Sequence, residues 1–106
     1  MFVYSGDRDA GKYESITVSS TAIGCTGTLV LPTSGRFTGM QCQGVFITLE
    51  TANVRFCYDG TTATTSVGHL LTAGQTLTLT NPNDVKNLSM YRDDTTDATA
   101  HVTYRY

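Results

Sequence analysis

The chain has 106 residues, which is long enough for one domain with its own core. Its formal net charge is −2, and only 15% of its residues are charged. Its seven lysines and arginines are scattered rather than clustered, which excludes the basic surface expected of a nucleic-acid-binding protein. No stretch approaches the ~20 consecutive apolar residues of a membrane span, and we therefore expect no membrane partner.

The first twelve residues, MFVYSGDRDAGK, are predicted to form an N-terminal arm ahead of a single domain over residues 13–106. They mix glycine and charged residues with Phe2, Val3 and Tyr4, a pattern that suggests docking on the domain or on a partner. We take these three residues as candidate partner contacts. Because a secretion signal would need a cationic start followed by an apolar run, we expect synthesis in a cytoplasm.

Alternation of apolar and polar residues predicts a first strand over residues 13–21, with Ile16 and Val18 on its buried face. The apolar run at residues 29–31 predicts a second strand. That strand would end at Pro32, because proline has no N–H to donate to a neighbouring strand.

Residues 33–39 are predicted to be a loop, and residues 43–51 the clearest strand of the core. Three residues of that strand face one way: Val45, Ile47 and Leu49. Apolar residues then resume at alternate positions over residues 54–58 after a break of only two residues, Ala52 and Asn53. So short a break predicts either a hairpin or one long strand with a bulge.

Asp59-Gly60 is the strongest turn signal in the chain, because glycine accepts the positive φ that such turns require. The TTATTS segment at residues 61–66 is too polar and too branched for a helix, and we expect an exposed loop. Its threonines form a second set of candidate partner contacts: Thr61, Thr62, Thr64 and Thr65.

Further along the chain, residues 67–71 are predicted to return to the core through Leu70 and Leu71. Alternating threonine and leucine around Leu77 and Leu79 predicts another strand, and a turn is predicted at residues 81–84. The pattern then predicts strands over residues 85–92 and 98–106.

The composition and the spacing of turns together indicate the fold class. Twenty threonines stand where helical proteins carry Glu, Lys and Ala, and branching at Cβ favours strands over helices. Short strands recur at intervals near ten residues with turn signals between them. We predict an all-β domain, an antiparallel β-sandwich or jelly roll of about 7–8 short strands.

The histidines and cysteines do not form a recognisable catalytic or metal-binding pattern. His69 enters an apolar segment, where a hydrogen bond to a nearby turn is its simplest role, and His101 is predicted to lie on the surface. A zinc site from both histidines with Cys42 and Cys57 lacks the close paired spacing that places two ligands on one element. Cys57 with a histidine is an equally weak signal for a catalytic nucleophile and its base, because any distant cysteine and histidine fit that description. We expect no enzyme activity, no metal and no cofactor.

Three cysteines, Cys25, Cys42 and Cys57, cannot all pair within one chain. The simplest interpretation is free, partly buried thiols that behave as small hydrophobic residues. One bridge within the chain, or a bridge to a neighbouring subunit, stays open as an alternative.

Binding modules are harder to exclude than enzymes. Carbohydrate recognition on a β-sandwich uses exposed aromatic rings, and the chain has six tyrosines but no tryptophan. Tyrosine is equally favoured at protein interfaces, where its ring packs and its hydroxyl group finds a partner. The tyrosines therefore fit a carbohydrate-binding module and an assembly protein equally well.

Several motifs of the second half resemble small proteins encoded among the head genes of bacteriophages and prophages. They are Val54-Arg55-Phe56, Asp59-Gly60-Thr61, Thr64-Thr65, Gly68-His69-Leu70-Leu71, Ala73-Gly74 with Leu77-Thr78-Leu79, and the closing His101-Val102-Thr103-Tyr104. The resemblance implies a virion component without catalytic residues: a capsid decoration or cement protein, or part of the head–tail connector, neck or tail. It further implies an oligomer in the virion, with the major capsid protein or other virion proteins as partners.

Overall fold

The computed structural model describes residues 9–106. In this part of the chain seven strands and two short helices follow one another: β1 (Ala10–Val18), α1 (Gly27–Val30), β2 (Gly44–Glu50), β3 (Val54–Cys57), β4 (His69–Leu71), β5 (Thr76–Leu79), α2 (Pro82–Asn87), β6 (Ser89–Arg92) and β7 (Ala98–Arg105). The predicted all-β class and strand number are confirmed.

The strands form two antiparallel sheets, one of four strands in the order β1-β7-β2-β5 and one of three in the order β4-β3-β6. A single hydrophobic core takes side chains from both sheets, including Ile47 and Val102 from the first and Val54 and Met90 from the second. The architecture is therefore sandwich-like, as the alternation of apolar residues predicted.

The two central strands of the larger sheet follow the predicted alternation closely. In β2, Val45, Ile47 and Leu49 are buried, and the same alternation in β7 buries four residues and continues to the last residue of the chain: Ala98, Ala100, Val102, Tyr104 and Tyr106. The two strands pair directly, with Ile47 opposite Val102. Strands covered on one face by the second sheet bury every second side chain, which explains why the sequence pattern was informative here.

The first strand begins earlier than the sequence predicted. β1 starts at Ala10 and pairs with the end of β7, where Ala10 lies opposite Arg105. Residues 10–12 therefore belong to the sheet and not to an arm, because their backbone groups bond to β7 although their side chains lack an apolar alternation. The candidate contacts Phe2, Val3 and Tyr4 lie outside the described residues.

Two segments that the sequence analysis assigned to strands or turns are helical. The predicted strand at residues 29–31 is wrong, because α1 runs through it and Leu31 N–H donates to the Gly27 carbonyl. The predicted turn at residues 81–84 begins α2, in which the Asn81 side chain accepts the Asn83 N–H and Pro82 occupies the first turn. Consequently only Ser89–Arg92 of the predicted 85–92 strand is a strand.

The hairpin or bulge predicted for β2 and β3 is also wrong. The two strands belong to different sheets, and the backbone reverses at Thr51, whose φ is +80°. Leu49 before the turn and Val54 after it are both buried in the common core. The chain must cross from one side of that core to the other, and a hairpin within one sheet would prevent this.

The two lateral sides of the sandwich differ. On one side, residues 19–23 join β1 to β6: Ile23 forms a β-bridge with Met90, and Arg92 N–H donates to the Ser19 carbonyl at 3.1 Å. On the other side β4 and β5 are the edge strands of their sheets, connected only by a short turn at residues 72–75. Within the described chain, the sandwich is thus closed at β1 and β6 and open at β4 and β5.

Candidate functional site

The outward side of the four-stranded sheet carries a regular array of threonines, which we call the threonine face. Strand pairing places these side chains in rows, with Thr103 of β7 between Tyr13 and Phe46, and Phe46 next to Thr78. A second row contains Ser15, His101, Thr48 and Thr76. The face is defined by six threonines: Thr17, Thr48, Thr76, Thr78, Thr99 and Thr103.

A chain of three polar side chains crosses the threonine face. The Tyr13 hydroxyl lies 2.5 Å from His101 Nδ1, and His101 Nε2 lies 3.1 Å from a Glu50 carboxylate oxygen. Because a carboxylate only accepts hydrogen bonds, His101 Nε2 carries a hydrogen and donates it to Glu50, and the tautomer with no hydrogen on Nδ1 accepts a hydrogen bond from Tyr13. The ring is half-buried, so His101 is less exposed than the sequence analysis expected, and it fixes the ring of Tyr13 against the sheet.

The open side of the sandwich carries a cluster of three aromatic rings. Phe56, Tyr58 and His69 lie with ring centroids 5.5–6.1 Å apart. Phe56 forms the buried base, whereas Tyr58 and His69 are exposed. His69 is thus an exposed residue of an apolar segment, in ring contact with Phe56 and Tyr58. Of the two leucines that follow it, Leu71 is buried and Leu70 is 46% exposed, so the expectation that both return to the core is wrong for Leu70.

Tyr58 and His69 separate two shallow grooves. The edge groove, of about 360 Å³, lies towards β5 and α2 and is lined by Phe56, Tyr58, His69, Leu77, Thr78, Leu79, Thr80 and Asp84. The loop groove, of about 500 Å³, lies towards the threonine-rich loop and is lined by Cys57, Tyr58, Asp59, Thr61, Val67, Gly68 and His69. Each groove thus combines aromatic rings with one carboxylate and at least one threonine hydroxyl group.

The loop at residues 61–66 presents its four threonines to solvent, as a contact surface would require. Its middle residue, Ala63, is buried, and the Ala63 N–H donates to the Ser89 hydroxyl oxygen at 3.0 Å. At its start, the Thr61 N–H donates to the Asp59 carboxylate at 3.0 Å, and this bond lowers the pKa of Asp59. The loop is held at two points while Thr61, Thr62, Thr64 and Thr65 remain exposed.

The three cysteines are free thiols in the structure, with Cys42 and Cys57 buried and Cys25 partly buried. Burial raises the pKa of Cys25 to about 12, although a hydrogen bond with Tyr104 acts in the opposite direction. Burial likewise raises the pKa of Cys42, whose thiol donates to the Gly44 carbonyl at 3.0 Å. Protonated thiols are weak nucleophiles, so burial disfavours reaction at Cys25 and Cys42.

The zinc set considered above is not brought together. Among residues 9–106, no group of three His, Cys, Asp or Glu side chains is arranged to hold a metal ion. His69 lies on the open side of the sandwich and His101 on the threonine face, so the two histidines occupy different sheets. Separately, none of the helices in the described chain is long and apolar enough to cross a membrane.

Sequence reasoning missed one polar residue that the fold places on the inward face of the four-stranded sheet. Glu14 of β1 is half-buried, and its carboxylate accepts hydrogen bonds from the hydroxyl groups of Tyr104 and Thr26. The signal was present, since Glu14 lies two residues before the inward Ile16 and so shares its face. Glu14 was placed inside the first predicted strand, but only Ile16 and Val18 were assigned to the buried face of that strand.

The chain was compared with known protein families, protein sequences and solved structures. No protein-family model, no curated protein sequence and no solved structure matches this chain.

Proposed function

We propose that the chain is a structural protein of a bacteriophage virion, a decoration protein that stabilises the head through protein–protein contacts as an oligomer. The observation that carries the proposal is the threonine face, a surface four strands wide on which six threonines present short, branched, uncharged side chains. The resemblance of residues 54–79 and 101–104 to proteins of phage head modules supports the same conclusion. The partners are the major capsid protein or other virion proteins.

The threonine face has physical properties that suit a protein interface. Threonine is stiff at χ1, so little side-chain entropy is lost when such a surface is covered. Its hydroxyl group both donates and accepts hydrogen bonds, and the six threonines themselves carry no charge that has to be desolvated. Phe46 and Tyr13 add aromatic area to one row of the face, and the bond to His101 holds the Tyr13 ring in place before any partner arrives.

The proposal is tested with particles of the phage or induced prophage that encodes the chain. Mass spectrometry of purified virions should detect the protein, and it should be abundant in isolated heads. Abundance in tails instead would support the alternative of a neck, connector or tail protein. Its absence from virions would contradict both versions.

Binding by the threonine face is tested with recombinant protein added to heads that lack it. Thr17→Arg with Thr78→Arg places one cation on each edge strand of the face, and we expect at least a tenfold loss of head binding. The matched control is Ser34→Arg with Thr95→Arg, two exposed positions outside both sheets. Equal binding by the two double variants would show that another surface contacts the head.

A carbohydrate-binding module is the second candidate, and the loop groove is the observation that favours it. Tyr58 is 40% exposed there beside the Asp59 carboxylate and the Thr61 hydroxyl group, a ring next to hydrogen-bonding groups suited to a sugar. Tyr58→Ala should abolish binding on an array of surface glycans, whereas Tyr13→Ala, on the other sheet, should not. Glycan binding that survives Tyr58→Ala would exclude this groove.

A further inference from the structure

The β5 edge has backbone groups that point away from its sheet. Leu49 N–H donates to the Gln75 carbonyl at 3.1 Å, and the same register places Ile47 opposite Leu77 and Val45 opposite Leu79. In an antiparallel pair, alternate residues exchange hydrogen bonds with the partner strand. Leu77 and Leu79 therefore bond to β2, and the N–H and C=O groups of Thr76 and Thr78 point to the open edge.

The edge groove runs alongside these backbone groups. Four consecutive residues, 77–80, line it, although their side chains alternate between the two faces of the sheet. Consecutive residues whose side chains point to both faces of a sheet can line a single groove only along the edge of their strand. The free edge of β5 therefore forms one wall of the groove. Phe56, Tyr58 and His69 form the opposite wall. Such a groove can bond to the backbone of an added strand and also cover its apolar side chains.

We propose that residues 1–8 of one copy of this chain bind in the edge groove of a second copy, as an added strand next to β5. The sequence of the segment, MFVYSGDR, fits the groove chemically. Phe2 and Tyr4 share one face of an extended chain, where they pack against the aromatic wall and against Leu77 and Leu79. The backbone of the segment bonds to Thr76 and Thr78.

The geometry favours binding of residues 1–8 in the groove of a second copy over binding in the groove of their own molecule. The described chain begins at Asp9, whose carbonyl accepts the Tyr106 N–H and whose carboxylate pairs with Arg36, on the β1 side of the sheet. β7 and β2 separate β1 from β5, a distance of about 14 Å at the usual strand spacing. Crossing it would use about half of the eight residues, and the remainder would run parallel to β5, the less stable arrangement.

Exchange between two copies removes this constraint. Each segment extends away from its own β1 and pairs antiparallel with the partner's β5. If both copies donate, the contact is closed by two-fold symmetry and leaves no vacant groove. The proposal concerns self-association of the chain and holds whether or not the protein belongs to a virion.

The first experiment measures mass in solution by light scattering. The full chain is expected to form an oligomer that dissociates on dilution, and the variant Phe2→Ser with Tyr4→Ser is expected to be monomeric while keeping the circular dichroism of the parent protein. A parent chain that is monomeric at all concentrations would overturn the proposal. An oligomer that is unaffected by the two substitutions would overturn it equally.

The second experiment supplies the segment separately. A fluorescein-labelled peptide MFVYSGDR is titrated into the Phe2→Ser, Tyr4→Ser protein, whose groove is expected to be free, with MSVSSGDR as the control peptide. We expect at least tenfold weaker binding of the control. Amide NMR shifts should change at Leu77–Leu79, and no binding of MFVYSGDR would contradict the site.

The third experiment tests the backbone pairing itself. Thr78→Pro removes the N–H that points to the open edge, and proline is tolerated at edge strands where no internal hydrogen bond is lost. Thr78→Val is the matched control, because it keeps the N–H and the shape of the side chain. Peptide binding should fall at least tenfold for Thr78→Pro and stay near the parent value for Thr78→Val. Equal binding by both variants would exclude strand addition at β5.

Discussion

Tyr104 of β7 donates its phenolic hydrogen to the carboxylate of Glu14 in β1, on the inward face of the four-stranded sheet. The Thr26 side chain donates to the other carboxylate oxygen at 2.8 Å, and the Thr26 N–H donates to the Tyr104 hydroxyl oxygen at 3.1 Å. Three polar groups that would each be costly to bury alone thus satisfy one another. The network connects residues before α1 to the four-stranded sheet and keeps an inward carboxylate within the fold.

Tyr104→Phe should lower the free energy of unfolding by about 1–3 kcal/mol, because it leaves the Thr26 N–H and a Glu14 oxygen without their partner. Chemical unfolding in urea, followed by circular dichroism, measures the change. Tyr13→Phe is the control, because it also removes a phenolic hydrogen bond, the one to His101, but from a residue that is 62% exposed, and surface substitutions are usually within roughly 0.5 kcal/mol of the parent. Equal stability of the two variants would show that the network contributes little.

The protein should lose stability in alkaline solution. Burial raises the pKa of Cys25 from 9.0 to about 12 and the pKa of Tyr106 from 10.0 to about 12. Each group holds its proton more tightly in the folded protein than in the unfolded one. Their contribution to stability is therefore complete below pH 9 and is lost as the pH rises towards 12.

Thermal unfolding at a series of pH values measures this dependence. Cys25→Ala should flatten the fall of the melting temperature above pH 9, where the thiol begins to ionise in the unfolded chain. Cys57→Ala serves as the control, because it also removes a buried thiol but leaves the Cys25 titration in place. A slope identical to that of the parent for Cys25→Ala would contradict the assignment.

Gly68→Ala should destabilise the protein by about 1–3 kcal/mol, for two reasons that act together. Gly68 has a φ of +129°, which L side chains rarely adopt, and a Cβ atom there would lie 3.0 Å from the backbone N and O of Phe56. Gly27→Ala is the matched control, since a Cβ at Gly27 meets no atom within 4 Å. Urea unfolding should separate the two variants clearly, and similar midpoints would contradict the prediction.

Asn81→Ala should cost about 0.5–2 kcal/mol, because the Asn81 side chain caps the first turn of α2. It accepts the Asn83 N–H at 2.9 Å, a bond that alanine cannot replace. Asn81→Asp keeps an acceptor at the same position and should retain most of the stability. The thermal midpoints of the two variants provide the comparison, and a loss as large for Asp as for Ala would exclude capping as the cause.

The two helices differ in how far the local sequence indicates them. For α2, the capping residue, the early proline and the basic Lys86 in the last turn are all local signals, and the same residues also suit a turn. For α1, Thr26 occupies the N-cap position but makes no side-chain capping bond, so the local signal is weaker. Leu29 and Val30 of α1 pack on the core, and the Tyr106 hydroxyl group donates to the Leu29 carbonyl across 77 positions of sequence.

One buried residue was missed in a segment predicted as a loop. Phe37 is buried and stacks on Tyr106 with ring centroids 4.6 Å apart. The contact depends on Gly11, where a Cβ atom would lie 2.3 Å from the Phe37 ring. Neither residue shows an alternating pattern, so only the approach of the loop to β1 reveals that the two positions are matched.

The sequence alone determined the strand faces and the sharp turns, because both depend on local geometry. Side chains alternate at every second residue of a strand, as in Val45, Ile47 and Leu49, and Asp59-Gly60 carries its turn preference in its own backbone. Tertiary structure decided which strands share a sheet, where residues 27–30 become helical, and that β4 and β5 form the open side. These features depend on contacts between residues far apart in the chain, which no local pattern specifies.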